Sequence, residues 1–436
     1  MKGQEPSPKK QRVSIVAAGF GQNMVLTMVN TFMLVYLLEY AHISSSGMAT
    51  VTAIITAAKI FDAVNDPFMG TLVDMTRTRW GKQRPYILFS AGPVALLSTL
   101  LFCIPDVAEP QKLLFFGVCY FLWGIAYTAC DVPFWGLIGS AFTDPAVRNS
   151  AISMVRAFGA IALGLATLGA PWLARLLSFS GATTPAGWSF AAIIISIAGM
   201  SLFLLAFFNT RERRHDDKDK VTFGLLASTL AKNKPLLMVL LGSVLGFGRN
   251  IVQAGGAVFA VIAYHDEAYF TLIGAAIIVG MVLSSFAAPY LLKRISGKAL
   301  IIISAVAGTV VYLLMYAFGF ENIFIMMALI FLSGLTLGFF MVAQTTMIAD
   351  SVDEIERRTG VRNDGISFSM LTFVSKIMNA LAVMVFGLFI VWSGYQEGTV
   401  VTARMQQMIF WSITLVPAVS CLLSVVPFLF YGRTGK

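Results

Sequence analysis

The sequence predicts an all-α membrane protein of twelve transmembrane helices, arranged as two pseudo-symmetric six-helix bundles. Three observations carry that reading. The 436 residues are 57% hydrophobic and only 12% charged, with a mean hydropathy of +0.79; a soluble chain carries about twice that charge. Apolar runs recur that are long enough to cross a bilayer, which takes about 20 residues each. A motif of the first half also returns in the second: Val147-Arg148-Asn149-Ser150-Ala151-Ile152-Ser153 recurs as Val361-Arg362-Asn363-Asp364-Gly365-Ile366-Ser367. The offset is close to half the chain, and Gly81-Lys82 finds an echo in Gly297-Lys298 at nearly the same offset.

Taken in order, the apolar runs place the spans at roughly 14–41, 47–74, 86–104, 112–141, 150–178, 186–209, 235–265, 267–292, 299–319, 322–350, 365–395 and 404–431. The polar stretch between the sixth and seventh spans divides the chain into an N-terminal bundle (1–209), a linker (210–234) and a C-terminal bundle (235–436). Its Arg211–Lys220 run reads as a solvated segment, and Leu225–Leu230 as a short surface helix. The net charge of +9 does not point to nucleic acid, because the Lys and Arg residues cluster in alternate loops. Lys9/Lys10/Arg12, Arg77–Arg84, Arg211–Lys220 with Lys232/Lys234, Lys293/Arg294/Lys298, Arg357/Arg358/Arg362 and Arg433/Lys436 all fall on one side if both termini are cytoplasmic. The opposite side has little beyond Lys112, Arg175 and Arg404. That asymmetry predicts a multi-pass protein of the cell (inner or plasma) membrane with both termini inside. The first apolar run is too long for a cleaved signal peptide.

Enzymatic classes find no support. The four cysteines (Cys103, Cys119, Cys130, Cys421) lie in apolar segments without disulfide or zinc spacing, and His42, His215 and His265 lie in loops or at helix ends. No phosphate-binding glycine loop and no Ser/His/Asp set is present. Two repeated six-helix halves are instead a transporter signature, with the binding site expected near mid-membrane.

The ionisable residues inside the spans are the candidates for function: Lys59, Asp62, Asp66, Asp131, Arg156, Arg249 and Lys376. Asp62 and Asp66 are four residues apart, so both carboxylates lie on one helix face, where they repel unless something positive sits beside them. A Na⁺ ion, a proton or a buried Lys or Arg would each serve. Pro67 and Pro133 are placed to free the carbonyls of Ala63 and Ala129. With Asn65 and Thr128 these supply the hard oxygen ligands that an alkali cation prefers. Lys59, one turn from Asp62, is read either as a structural ion-pair partner or as part of transport. Arg249 is read as structural rather than ligand-binding. Trp135 lies one turn from Asp131, an arrangement that can hold a sugar between ring and carboxylate. It also suits plain packing or an interfacial aromatic.

Lys59–Arg84, Ala126-Tyr-Thr128-Ala-Cys-Asp131-Val-Pro133-Phe134-Trp135, and Asp350-Ser-Val-Asp353 through Lys376 resemble the glycoside–pentoside–hexuronide:cation symporters of the major facilitator superfamily. The superfamily's loop motif, Gly70-x3-Asp74…Gly81-Lys82-x-Arg84, is also present. The resemblance covers nearly the whole chain. It implies the major facilitator fold and cation-coupled (Na⁺ or H⁺) symport of a sugar, glycoside or hexuronide by alternating access, with no resident cofactor. It further implies cation binding at Asp62, Asn65, Asp66, Thr128 and Asp131, with Asp62, Asp66 and Asp131 as the carboxylate ligands if the ion is Na⁺. Substrate contacts are implied at Asn23, Asp131, Trp135, Arg156, Thr372 and Lys376. The chain departs from galactoside-transporting members, which carry a Lys-Asp pair where it has Gln22-Asn23, and this gives an acidic sugar weight. The other reading of the same architecture is a Na⁺-coupled carrier of an amphipathic lipid or other small organic solute. The repeat itself suggests a cytoplasmic gate: Arg148 bridging to Asp350 or Asp353, with Arg362 in support.

Overall fold

The structure, a computed structural model, describes residues 7–142, 144–179, 182–212, 232–264, 268–360, 362–394 and 401–432. Most of the expected linker with its Leu225–Leu230 helix, His215, His265, Val361 of the repeat, Arg433 and Lys436 lie outside the described residues. The elements are α1 (Pro8–Val35, continued by a π turn Tyr36–Tyr40), α2 (Ser45–Met75), α3 (Arg84–Leu100), α4 (Glu109–Ala141), α5 (Pro145–Leu176) and α6 (Pro185–Asn209). The second half follows as α7 (Lys234–Leu245), a 3₁₀ turn (Phe247–Asn250), α8 (Ile251–Tyr264), α9 (Ala268–Leu292), α10 (Gly297–Phe318), α11 (Ile323–Thr359), α12 (Asp364–Ser393) and α13 (Ala403–Leu429).

The helices start where their sequences direct. Ser44, Asp144, Thr184, Asn233, Ser296, Asn322 and Thr402 each accept a backbone N–H of the first turn that has no partner within its helix. Pro145, Pro185 and Pro235 open α5, α6 and α7, where a missing N–H costs nothing. Among the described residues, ten helices are long and apolar enough to cross a membrane, and the bent α7/α8 pair, taken as one span, makes an eleventh. At 17 residues, α3 is the shortest of the expected spans. Both α2 and α4 run unbroken through Pro67 and Pro133. Large apolar side chains such as Phe324, Leu114 and Leu168 stand exposed, as hydrocarbon-facing surface requires.

Two compact units emerge: the N-terminal half together with Asn363–Ser369, and the remainder of the C-terminal half. In the first, α1 packs on α5 and α6, α3 on α4 and α6, and α2 on α4. Its core gathers Met28, Tyr36, Phe102, Phe116 and Trp188. In the second, α7/α8 and α10 pack on α13, and α10 and α9 on α11. Its core gathers Ile251, Phe259, Tyr312, Met326 and Phe410. The pairing of the first unit thus recurs in the second, except that the extensive α1–α5 contact has no equally extensive α7/α8–α12 counterpart.

The seventh span departs from expectation. A single helix over 235–265 is predicted, but the chain breaks at Gly246 and bends by 49°. The cause is a tertiary insertion from α13. The Ser420 hydroxyl donates to the Leu245 carbonyl at 2.6 Å and accepts the Gly248 N–H at 2.8 Å, replacing ladder bonds. Gly248 permits the approach, since a Cβ there would meet Pro417 Cα at 2.8 Å.

Candidate functional site

Within the first unit, α4 collects the candidate residues. Thr128, Asp131 and Trp135 follow at helical spacing along one side of α4. The Thr128 hydroxyl donates to Asp66 Oδ1 of α2 at 3.2 Å in a buried setting, and Asp66 itself is 1% exposed. One turn further, Asp131 Oδ1 accepts the Gln22 side-chain amide of α1 at 2.8 Å. The Arg156 guanidinium of α5 lies 4.3 Å from the centre of the Trp135 ring and is close enough to Asp131 for the two charges to interact. A carboxylate, a guanidinium and an indole thus converge from two helices, with an amide from a third. Such a set offers donors, acceptors and an apolar face to one polar, ringed molecule.

Asp62 is partly buried, and its carboxylate rests against the α4 backbone at Gly124, where an added Cβ would lie 2.5 Å from Oδ1. Asn65 is partly buried on the same helix. Among the described residues Asp62, Asp66 and Asp131 do not converge as a three-carboxylate group of metal-holding geometry. The link from the first pair to Asp131 runs along α4 through Thr128. Lys59 is exposed and forms no ion pair among the described residues. Asn23 turns its amide back to the Gly19 carbonyl at 2.8 Å, one turn earlier on α1.

In the second unit, Thr372 is buried and Lys376 partly so, one turn apart on α12. Arg362 donates to Asp353 at 2.9 Å and to Glu356 at 2.6 Å within that unit. Asp350 is partly buried on the same helix as Asp353. Arg148, at the start of α5 in the first unit, is 1% exposed. Arg249 is 2% exposed. It donates to the Gly246 carbonyl (3.2 Å) and the Ser424 hydroxyl (3.0 Å), and its guanidinium lies 4.0 Å from the centre of the Phe340 ring.

The loop motif acquires partners that its sequence does not name. Within the first unit, the buried Asp74 carboxylate accepts the N–H groups of Gly365 and Ile366 at 2.9 and 2.8 Å, in the first turn of α12. An anion is favoured there by the helix dipole. Glu212 accepts the N–H groups of Lys82, Gln83 and Arg84 at 2.6–2.8 Å and so closes the start of α3. Burial pushes its carboxyl above the usual range, while those N–H groups pull it back. In the sequence Gln22 stands out only as half of a departure, and its role as Asp131's partner needs α1 and α4 brought together. Gly124 and Glu212 had no sequence signal beyond a small residue in a span and an acid among arginines.

Residues 14–434 match the family described as MFS/sugar transport protein. The chain is 28% identical to the glucuronide carrier protein homolog of Escherichia coli (strain K12), over 95% of this chain and 90% of that one. It is 27% identical to the isoprimeverose transporter of Lactiplantibacillus pentosus (97% and 88%), and 29% identical to the putative glycoside/cation symporter YagG of Escherichia coli (strain K12) (91% and 85%). The crystal structure of the E. coli fucose:proton symporter shares the fold, with a TM-score of 0.71 at 11% identity over 97% of this chain and 98% of that one. Helical spans, repeated halves and a polar site held inside the spans agree with these matches. This multi-pass membrane chain is a transporter and not an enzyme, and it belongs to the MFS/sugar transport protein family, among the glycoside/cation symporters.

Proposed function

We propose that the protein is a cation-coupled secondary active symporter that moves a glycoside or hexuronide inward by alternating access, with both termini cytoplasmic. One observation carries the reading: α4 joins the Asp66–Thr128 pair to the Asp131–Arg156–Trp135 group within about one helical turn. The coupling cation, Na⁺ or H⁺, is a co-substrate taken by Asp66 and Asp62 with Thr128, Asn65 and Asp131 as further oxygen ligands. The sugar is taken by Asp131, Trp135 and Arg156, with Asn23 of α1 and with Thr372 and Lys376 of α12. A cation near Asp66 orients Thr128, and Thr128 and Asp131 lie one turn apart, so occupation of one site alters the other. That coupling is reciprocal by thermodynamic necessity. Two cationic side chains, Arg156 and Lys376, favour an acidic sugar. The buried charges Arg148 and Arg362, with Asp350 and Asp353, serve as the cytoplasmic gate of the cycle.

The test is uptake and counterflow in proteoliposomes against a panel of neutral glycosides and glucuronides, with and without Na⁺ and a pH gradient. Concentrative uptake that needs one of the two cations is expected. Asp62→Cys and Asp66→Cys should each abolish concentration while leaving weakened substrate binding. Wild-type accumulation by the Asp66 variant would remove the cation site. The gate is tested separately by Arg148→Ala, which should slow net uptake and leave substrate binding intact.

A further inference from the structure

The second unit carries a polar pair that the site described above does not include. The Asn250 side-chain N–H₂ donates to Asn379 Oδ1 at 2.8 Å. Asn250 closes the 3₁₀ turn at the break of the seventh span, immediately after Arg249. Asn379 stands midway along α12, three residues beyond Lys376. Thr372, Lys376 and Asn379 therefore share one stripe of α12. The pair is solvent-accessible although both residues lie inside membrane-crossing segments. Amides turned to hydrocarbon would forfeit their hydrogen bonds at considerable cost, which favours a water-facing place for this pair. Gln253, one turn further along α8, is exposed as well.

We propose that Asn250 and Asn379 form a further sugar-hydroxyl subsite, an inference that rests on the glycoside reading above. Their mutual bond uses the donor of Asn250 and the acceptor of Asn379. Asn250 Oδ1 remains to accept and the Asn379 N–H₂ to donate, side by side. Two neighbouring hydroxyls of a sugar present the complementary donor and acceptor. The mutual bond also fixes both rotamers before the sugar arrives, which lowers the ordering cost of binding. Arg249, held by the Gly246 carbonyl and Ser424, and Ser420, inserted at Leu245 and Gly248, keep the turn that presents Asn250 in place. The competing role for the pair is a strut between α12 and the seventh span.

The experiment separates the two roles. Proteoliposome uptake of the methyl α- and β-glycosides of glucose, galactose, xylose and glucuronic acid finds the best substrate, and its monodeoxy analogues are then compared. Asn379→Asp keeps the oxygen to which Asn250 donates, and so keeps a strut, while removing the outward N–H donors. Wild type should handle at least one monodeoxy analogue about tenfold worse than the parent. Asn379→Asp should shrink that difference to about twofold, by losing affinity for the parent alone. A difference that persists in Asn379→Asp overturns the subsite and leaves the glycoside reading standing. A wild type that moves no member of the panel overturns that reading and the subsite with it. Asn379→Cys gives a readout independent of the aspartate variant. The best glycoside should slow its labelling by a hydrophilic maleimide several-fold, and an unchanged rate overturns the proposal.

Discussion

Arg156 and Arg249 are two arginines inside membrane-crossing segments, one in each unit, and each lies over an aromatic ring at about the same distance. Their other company differs. Arg156 is partly exposed and shares its surroundings with Asp131, which also accepts the Gln22 amide. Arg249 is almost wholly buried, and among the described residues no carboxylate pairs with it. Its charge is met by a carbonyl at the C-terminal end of α7, by Ser424 and by the Phe340 face. A helix C-terminus carries a partial negative charge, so the break at Gly246 is itself part of the counter-charge. A cation facing a carboxylate at an open site can exchange part of that contact for a ligand. A cation locked to the main chain cannot move without undoing the break. The first arrangement suits recognition, the second suits architecture.

Removing the two arginines is the strongest way to break this contrast. Arg156→Ala leaves Asp131 without its cation, a loss of about 2–5 kcal/mol for such a pair. Uptake at low substrate should fall about a hundredfold or more, while the melting temperature in detergent stays near wild type. A collapse of folded yield would place Arg156 with Arg249 instead. For Arg249→Ala the expectation is reversed. An unfilled cavity and unmet carbonyl and hydroxyl groups should cost about 3 kcal/mol, read as a lower melting temperature and poor monodisperse yield. Arg249→Met, which keeps the volume, should lose less. An Arg249→Ala protein that melts normally yet fails to transport would make this arginine a ligand group.

Smaller changes sharpen the comparison. Gln22→Ala removes a charge-assisted hydrogen bond to Asp131, worth about 1.5–3 kcal/mol. The KM of uptake should rise about tenfold with little change in melting temperature. A KM that does not move would mean that Arg156 alone holds Asp131 for the substrate. Ser424→Ala takes a hydroxyl acceptor from the Arg249 guanidinium, again a hydrogen bond to a charged group, and should cost about 1.5–3 kcal/mol, a fall of several degrees in melting temperature with KM unchanged. A change in KM larger than the change in stability would tie α13 to substrate handling.

The two arginines also differ in how far their roles could be read without coordinates. Only the family resemblance implies Arg156 as a sugar contact, since nothing in its own helix names Trp135 as its platform. Arg249 could be read as structural, but its partners come from α11, α13 and a break that hydropathy does not register. The seventh span scans as one continuous apolar run because apolarity measures lipid compatibility, not the continuity of a hydrogen-bond ladder. The break depends on a serine more than 170 residues away. Lys59 shows the opposite case. Its spacing to Asp62 fits an ion pair, but the side chain points outward and is exposed, because helix spacing sets neighbours without fixing rotamers.

The sequence by itself determined the apolar runs that become the spans, the repeated motif, the clustering of Lys and Arg in alternate loops and the acids on α2 and α4. These properties are local or periodic: a 20-residue apolar run, a carboxylate pair at i and i+4, a motif repeated at half the length. Only the tertiary structure decided that Gln22 serves Asp131, that Thr128 reaches Asp66, that Asp74 meets the first turn of α12, and that Ser420 splits the seventh span. Each of these joins residues from about 60 to nearly 300 positions apart. Buried polar groups must find partners, but the partner taken depends on which helix faces meet, and that is set by packing across the whole bundle.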